Sequence, residues 1–339
     1  MQPDDLVRPS GANRYYPPQD RAGIRARPGR LSNLVLRKRS RSAVLPLFSG
    51  LLLLFGLSSG AALSQEGPSA TTDPRPLPEL APFLQEVRAR LHSDEALLNQ
   101  YTFTERHTER ELDGRGAVKK VKSETYEVYP SLEPGRTYRR LVERNGRSLD
   151  AQSLAEQDRK HEKKTGEDRP DPAFEEKRAA RLAQARRKEE AGVEQVFRIY
   201  DIAIAGRETL DGRGTIVLTF RPRPQAEATG RTGKVLKALE GRAWIDEEDR
   251  QLVRVDAELV DNLSFGLGIL ARLKKGSRAS ILRRKINGEI WLPAQARFSG
   301  SARLLLVKGI RMDALSEYAD YRKFSVASSS DFRPESQPR

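Results

Sequence analysis

Four dipeptides constrain this chain more than any other feature of its sequence. Asp113-Gly114, Asn145-Gly146, Asp211-Gly212 and Asn287-Gly288 each follow or separate runs with alternating side-chain character. Two-residue hairpin loops require positive φ at their central positions, which Asn, Asp and Gly adopt at least cost. The four turns therefore predict antiparallel hairpins and argue against a parallel sheet built on crossover helices. Asp113-Gly114 joins Tyr101–Leu112 to Ala117–Tyr129, and Asn145-Gly146 ends a strand over Arg136–Val142. Asp211-Gly212 joins a strand around Val196–Ile204 to Thr215–Arg221, and Asn287-Gly288 joins Ser280–Ile286 to Glu289–Phe298. A further pair, Gly241–Asp246 and Leu252–Leu259, meets across Glu247-Glu248-Asp249-Arg250, and Arg303–Lys308 with Arg311–Phe324 closes a sheet of about ten strands. In the first strand Tyr101, Phe103, Glu105, His107 and Glu109 share one face, which is apolar only near its start.

Three segments break this pattern. Phe83, Leu84, Val87, Leu91 and Leu98 fall at helical spacing and predict a helix over Pro82–Gln100 lying on the sheet. Ala151–Gly192 carries 11 basic and 10 acidic residues with few large apolar ones, so it predicts a solvated helical excursion broken near Arg169-Pro170-Asp171-Pro172. Asn262–Leu273 is apolar and contains Gly266 and Gly268. It reads either as a core helix or as a hinged lid bearing Leu263, Phe265, Leu267, Ile269 and Leu270.

The amino-terminal part is a targeting segment. Arg37-Lys38-Arg39-Ser40-Arg41 precedes the apolar run Ala43–Leu63, and Ala62-Leu63-Ser64 presents small residues for cleavage between Ser64 and Gln65. An uncleaved anchor is the alternative, since the run is near the ~20 residues that span a bilayer. Both exports place the remainder in the periplasm, free or tethered to the inner membrane. The organisation expected is a cytoplasmic leader and signal at 1–64, a Pro/Ser/Thr-rich linker at 65–81, a folded domain at 82–326 with its charged insertion at 151–192, and a disordered tail at 327–339.

Composition narrows function. The formal net charge is +14, but ten basic and three acidic residues within 1–64 account for half of it. The rest is a mixed-sign surface without a nucleic-acid motif. With no cysteine, and only His92, His107 and His161 at unrelated spacings, a thiol nucleophile, a disulfide framework and a histidine-rich metal site are excluded as readings. The stretch Phe298-Ser299-Gly300-Ser301 lacks the flanking glycine of a serine nucleophile elbow. Asp246 and Asp249 read as exposed turn carboxylates, and no glycine-rich phosphate loop opens a helix. No cofactor is expected.

Three blocks carry a resemblance. Gly206-Arg-Glu-Thr-Leu-Asp-Gly-Arg213 runs into Thr215-Ile-Val-Leu-Thr-Phe-Arg-Pro222; Gly241-Arg-Ala-Trp-Ile-Asp246 precedes Leu252-Val-Arg-Val255; and Asn287-Gly-Glu-Ile-Trp-Leu-Pro293 precedes Tyr318-Ala-Asp-Tyr-Arg-Lys-Phe324. With these the chain resembles the periplasmic lipoprotein-carrier superfamily, the LolA-like proteins and their outer-membrane lipoprotein-sorting relatives, over roughly Phe83–Phe324. The elements predict an α+β domain, a strongly curved antiparallel sheet with an N-terminal helix, an apolar helical insertion and a charged helical excursion; the resemblance implies an incomplete β-barrel with helices across its open face, from which the 151–192 insertion is a departure. It also implies an apolar groove for acyl chains. The residues expected to line that groove are Leu218, Phe220, Trp244, Trp291 and Phe298, in a non-catalytic monomer. Its partner is a lipid or the acyl chains of a lipoprotein or, in a sensor, a membrane-anchored protein; nucleic acid is not expected.

Overall fold

The computed structural model describes residues 75–90, 100–131, 137–166, 172–265, 271–304 and 308–323, all within one compact unit. The leader, the Ser64–Gln65 junction, most of the linker, the tail, and Leu267, Ile269 and Leu270 lie outside the described residues. The first element is helix α1 (Leu80–Arg90); its expected continuation over 91–99 also falls outside, and Gln100 is a turn residue. Strands β1 (Tyr101–Leu112), β2 (Val118–Tyr129), β3 (Tyr138–Arg144) and β4 (Arg147–Ser148) follow. Helices α2 (Ala151–Gly166) and α3 (Pro172–Ile199) lead to β5 (Tyr200–Leu210) and β6 (Arg213–Pro222). After α4 (Gly230–Lys237) come β7 (Leu239–Asp246), β8 (Leu252–Leu259), β9 (Leu263–Phe265) and β10 (Ala271–Leu273). The long strands β11 (Arg278–Ile286), β12 (Ile290–Leu304) and β13 (Lys308–Lys323) complete the sheet.

Thirteen strands form one sheet in the order β4-β3-β2-β1-β13-β12-β11-β8-β7-β6-β5, with β10 joined to β12 and β9 to β10. Its end strands do not pair with each other, so this is an open, curved antiparallel sheet with helices, an α+β fold. Three predicted turns have the backbone they require. Asn145 and Gly146 have φ of 51° and 75°, Asp211 and Gly212 47° and 76°, and Asn287 and Gly288 51° and 71°. The fourth is different: the turn at Asp113 is a longer loop in which Gly116 alone has positive φ, 87°. There the Asp113 carboxylate accepts from the N–H groups of Arg115 and Ala117 at 2.8 and 2.9 Å. A side-chain staple thus replaces one of the two left-handed residues.

Other expectations are corrected. The strand placed at Val196–Ile204 begins only at Tyr200, because α3 runs on to Ile199, which it buries in the core with Val196 packed half-buried against it. Of the strand expected at Arg303–Lys308, Arg303 and Leu304 belong to the end of β12 and Lys308 to the start of β13, with Leu304 paired to Lys308, and residues 305–307 lie outside the described residues. The described ends of the apolar insertion are strands and not helix: β9 and β10 pair antiparallel, with Leu263 and Leu273 buried while Ser264 and Arg272 are exposed; residues 266–270 lie outside the described residues. The alternation of buried and exposed residues in these two strands is the two-residue period of a sheet. Helix α4 was not foreseen, since Gly230 and Gly233 mask a segment whose Val235 and Leu236 are fully used in the core.

The charged excursion is docked, not merely solvated. Beyond Glu143 and Arg144, no strand among the described residues pairs with the outer edge of β3, because β4 is two residues long. Gln157 of α2 stands in for one: its Oε1 accepts from the Leu141 N–H at 3.0 Å and its Nε2 donates to the Leu141 carbonyl at 3.0 Å. Beside it Tyr138 stacks on His161 at 4.1 Å and Arg140 pairs with Asp158 at 2.9 Å. An edge strand whose backbone groups are satisfied in this way is also shielded from stray pairing.

Two stability tests follow. Gly288→Val should lower stability by about 1 kcal/mol or more, because a β-branched residue is strained at this φ; an unchanged melting curve would contradict the turn. Gln157→Leu should cost about 1–3 kcal/mol, since it strips the edge pair at Leu141 of both partners, and urea titration of the variant reads it directly.

Candidate functional site

The helices cover one face of the sheet. Phe83 and Val87 of α1, Val196 and Ile199 of α3, and Val235 and Leu236 of α4 pack on Ile216, Leu218, Phe220, Ile245, Val255, Phe298 and Met312. Helix α1 is pinned there by Arg250, whose Nε donates to Glu86 at 2.6 Å and whose guanidinium lies 5.2 Å from the Phe83 ring, and by Gln251, which donates to the Arg90 carbonyl at 2.8 Å. The Tyr200 hydroxyl donates to the Leu236 carbonyl at 2.8 Å and ties α4 to the start of β5.

The five groove candidates divide between two faces. Leu218, Phe220 and Phe298 lie in this helix-covered cluster. Trp244 and Trp291 do not: they form a second cluster with Val217 and Val253, because Val217 and Trp244 are partners in register one residue out of phase with Leu218. Each buried indole N–H finds a carboxylate. Trp244 donates to Glu208 at 2.7 Å beneath the guanidinium groups of Arg242 and Arg254, and Trp291 donates to Asp249 at 2.8 Å. The tryptophans therefore brace the outer layer around the β7–β8 turn. Asp246 is not an exposed turn carboxylate: it is 1% exposed, and it accepts from Arg213 at 2.6 and 2.8 Å and from the Glu248 and Asp249 N–H groups at 3.1 and 2.8 Å. Those bonds hold the Arg213 guanidinium above its ordinary pKa. Of the hinged-segment candidates, Leu263 is buried in the main cluster and Phe265 ends β9.

The same inner face changes character across β13. Directly opposed residues of antiparallel strands share a face. Phe298 opposes Ala314 and Gly300 opposes Met312; in turn Met312 opposes Glu111, Ala314 opposes Glu109, Ser316 opposes His107 and Tyr318 opposes Glu105. The face that is apolar on β12 is thus polar on β1. Glu105 is buried, accepts from the Tyr318 hydroxyl at 3.0 Å and pairs with Arg139 at 2.7 Å. Burial nevertheless raises its pKa. Arg139 also lies 4.3 Å over the Tyr126 ring. Burial works against Glu124 as well, but hydrogen bonds from Lys122 at 2.8 Å and Tyr126 at 2.9 Å keep its carboxylate below the ordinary range.

His107 Nδ1 lies 2.9 Å from Ser316 Oγ, a serine–histidine contact that only the β1–β13 register creates. It does not make a nucleophile. Burial, then the nearby Arg139 charge, lowers the His107 pKa to about 4, too weak a base to take the hydroxyl proton at neutral pH. Ser316 sits within β13, paired on both sides, where backbone N–H groups serve the ladders and not an oxyanion. Among the described residues no cluster of three or more His, Cys, Asp or Glu is placed to hold a metal ion. Of this polar group, Glu105 and His107 had one sequence signal, their place on the face begun by Tyr101 and Phe103. Glu124, Arg139 and Tyr318 had none, because they come from other strands.

No protein-family model and no curated protein matches the chain. Among solved structures it is similar to a LolA superfamily protein from Nitrosomonas europaea, at 11% identity over 72% of this chain and 92% of that one, with a TM-score of 0.27. It is similar to an outer membrane lipoprotein-sorting protein domain from Vibrio parahaemolyticus, at 10% identity over 74% and 94%, TM-score 0.28. A chain of the Pseudomonas aeruginosa MucA/MucB complex aligns at 11% identity over 71% and 99%, TM-score 0.19. The fold class follows from the strand order and the helices themselves.

His107 makes stability depend on pH with a definite sign. Between its ordinary pKa of 6.5 and its folded value of about 4, the unfolded chain binds a proton that the folded chain refuses, so stability falls as pH falls, by at most about 3 kcal/mol. The raised Glu105 acts in the opposite sense in the carboxylate range. His107→Gln removes the first effect alone. Its urea midpoint should decline less than the parent's from pH 6.5 to 4, and parallel curves would refute the assignment.

Proposed function

We propose that this chain is an exported, non-catalytic protein of the cell envelope that binds an amphipathic ligand, a lipid or the acyl chain of a lipoprotein, on the inner face of its open sheet. The observation that carries this reading is the passage of one continuous face from apolar on β12 to charged on β1. A ligand with an apolar chain and a polar head matches that gradient end to end. The chain would lie against Leu218, Phe220, Phe298 and Met312, taking the place of side chains from α1 and α4; the head would lie toward His107, Lys122 and Arg139. Each methylene moved from water into such a site gains about 0.8 kcal/mol, so affinity needs no catalytic residue. The leader pattern and the LolA-like blocks support an exported carrier or receptor. Its compartment is then the periplasm, either free after cleavage at Ser64–Gln65 or tethered to the inner membrane. No described helix is long and apolar enough to cross a membrane.

Photo-crosslinking with a diazirine fatty acid tests the reading. Label should appear on peptides of α4, β12 and β13, while tryptophan emission stays unchanged, since Trp244 and Trp291 belong to the other layer. Lipid extracted from the purified protein and identified by mass spectrometry should be present in stoichiometric amount. Label confined to the tryptophan layer, or a stoichiometric protein partner with no lipid, would replace this reading with a sensor that binds a membrane-anchored protein.

A further inference from the structure

We infer that the tip of the β1–β2 hairpin is a docking surface for an anionic lipid bilayer; this holds whether or not the inner face carries an amphiphile. The observation is a pair of valines in the wrong place for a soluble strand. Val118 is 55% exposed and Val121 52%, and no other large apolar side chain among the described residues is more than half exposed. Strand residues three apart ordinarily point to opposite faces. Here the register shifts between Glu111 and Leu112, so that Leu112 opposes Val118 while Arg110 opposes Val121. Arg110 and Leu112 share a face, and the bulge therefore brings both valines onto it. An irregularity that serves only to end the hairpin would not need to gather apolar side chains in water.

The charges around the valines select the partner. Residues 113–121 are all exposed; Arg110 shares the valines' face, and Arg115, Lys119 and Lys120 lie in the same exposed tip, Lys120 opposite Glu111 on the other face. Both acidic groups of the tip are engaged. The Asp113 carboxylate accepts from backbone N–H groups of its own turn, and Glu111 lies 3.8 Å from Lys119. Arg311 on the neighbouring strand opposes Leu112 and donates to the Gly114 carbonyl at 3.4 Å, extending the cationic rim and bracing the tip. Arg272 and Arg303, paired in register at the same end of the sheet, are exposed as well. Two valines are far too small a patch for a stable protein interface. A bilayer asks less: apolar tips enter the headgroup boundary, lysine stems lie along it, and each cation near an anionic surface adds roughly fivefold in affinity.

The chain has no cysteine, so a single label reports one place. Full-length protein carrying Val121→Cys, labelled with an environment-sensitive dye, is mixed with phosphatidylglycerol-containing vesicles or with pure phosphatidylcholine vesicles. Arg221→Cys on β6, labelled likewise, reports any contact made through the leader. The expected result is a blue-shifted, brighter dye at position 121 with anionic vesicles only, reversed by high salt, with no response at 221. Lys119→Glu/Lys120→Glu in the labelled chain should weaken this response at least about tenfold while the far-UV spectrum stays that of the parent. The inference is overturned if position 121 stays in water with both vesicles or responds equally to both, if the charge reversal changes nothing, or if only a soluble protein fraction shields the dye.

Discussion

The pairing of β1 with β13 is the interaction on which the rest depends. It joins the first strand to the last, Tyr101 to Lys323 and Leu112 to Arg311, and without it β1–β4 would be a separate small ribbon beside the β5–β13 layer. Such a long-range pairing closes a loop of the whole domain, so its entropy has to be recovered by the contacts that it brings together. Those contacts are aromatic and ionic. Phe103 meets Tyr318 at 5.5 Å and Tyr321 at 5.2 Å, and Glu105 joins Tyr318 to Arg139 of β3. The same pairing sets His107 against Ser316 and carries the apolar inner face into its polar end.

The two layers of the sheet hold their polar groups differently. On the helix-covered side the apolar cluster is continuous, and charge enters only past β13. On the other side two tryptophans are each locked by a carboxylate, and Arg213 with Asp246 knits the β6–β7–β8 turns together. Buried charges of this kind are tolerated because every one is paired; removing a single partner leaves the other stranded. The tryptophan layer is thus cross-linked through its side chains, while the inner face meets separate helices, one of them only eight residues long.

Local rules were legible in the sequence wherever they act through the backbone of neighbouring residues. Asn145-Gly146, Asp211-Gly212 and Asn287-Gly288 set three hairpins because left-handed φ is a property of the residue itself. The alternation in β1 announced an inner face that begins with Tyr101 and Phe103 and turns polar at Glu105. Pro172 opens α3, as its missing N–H allows at a helix start. These features together define an antiparallel sheet with helices, and they require no knowledge of what packs on what.

Tertiary structure decided the faces. A two-residue period says which residues travel together along a strand but not which layer they join, and so Trp244 and Trp291 could not be told apart from Leu218, Phe220 and Phe298. Bulges compound this. Asp320, with φ of 55°, lets Tyr318 and Tyr321 both reach Phe103 though they are three apart, and the shift beside Leu112 does the same for Val118 and Val121. Whether a strand bulges depends on the register of its partner, which in β1–β13 is about two hundred residues away in the chain. Gln157 likewise becomes a substitute strand only because β4 is too short to cover Leu141. The sequence on its own determined the hairpins and the fold class, because those follow from single-residue dihedral preferences; the tertiary structure alone decided the sites, because they follow from register.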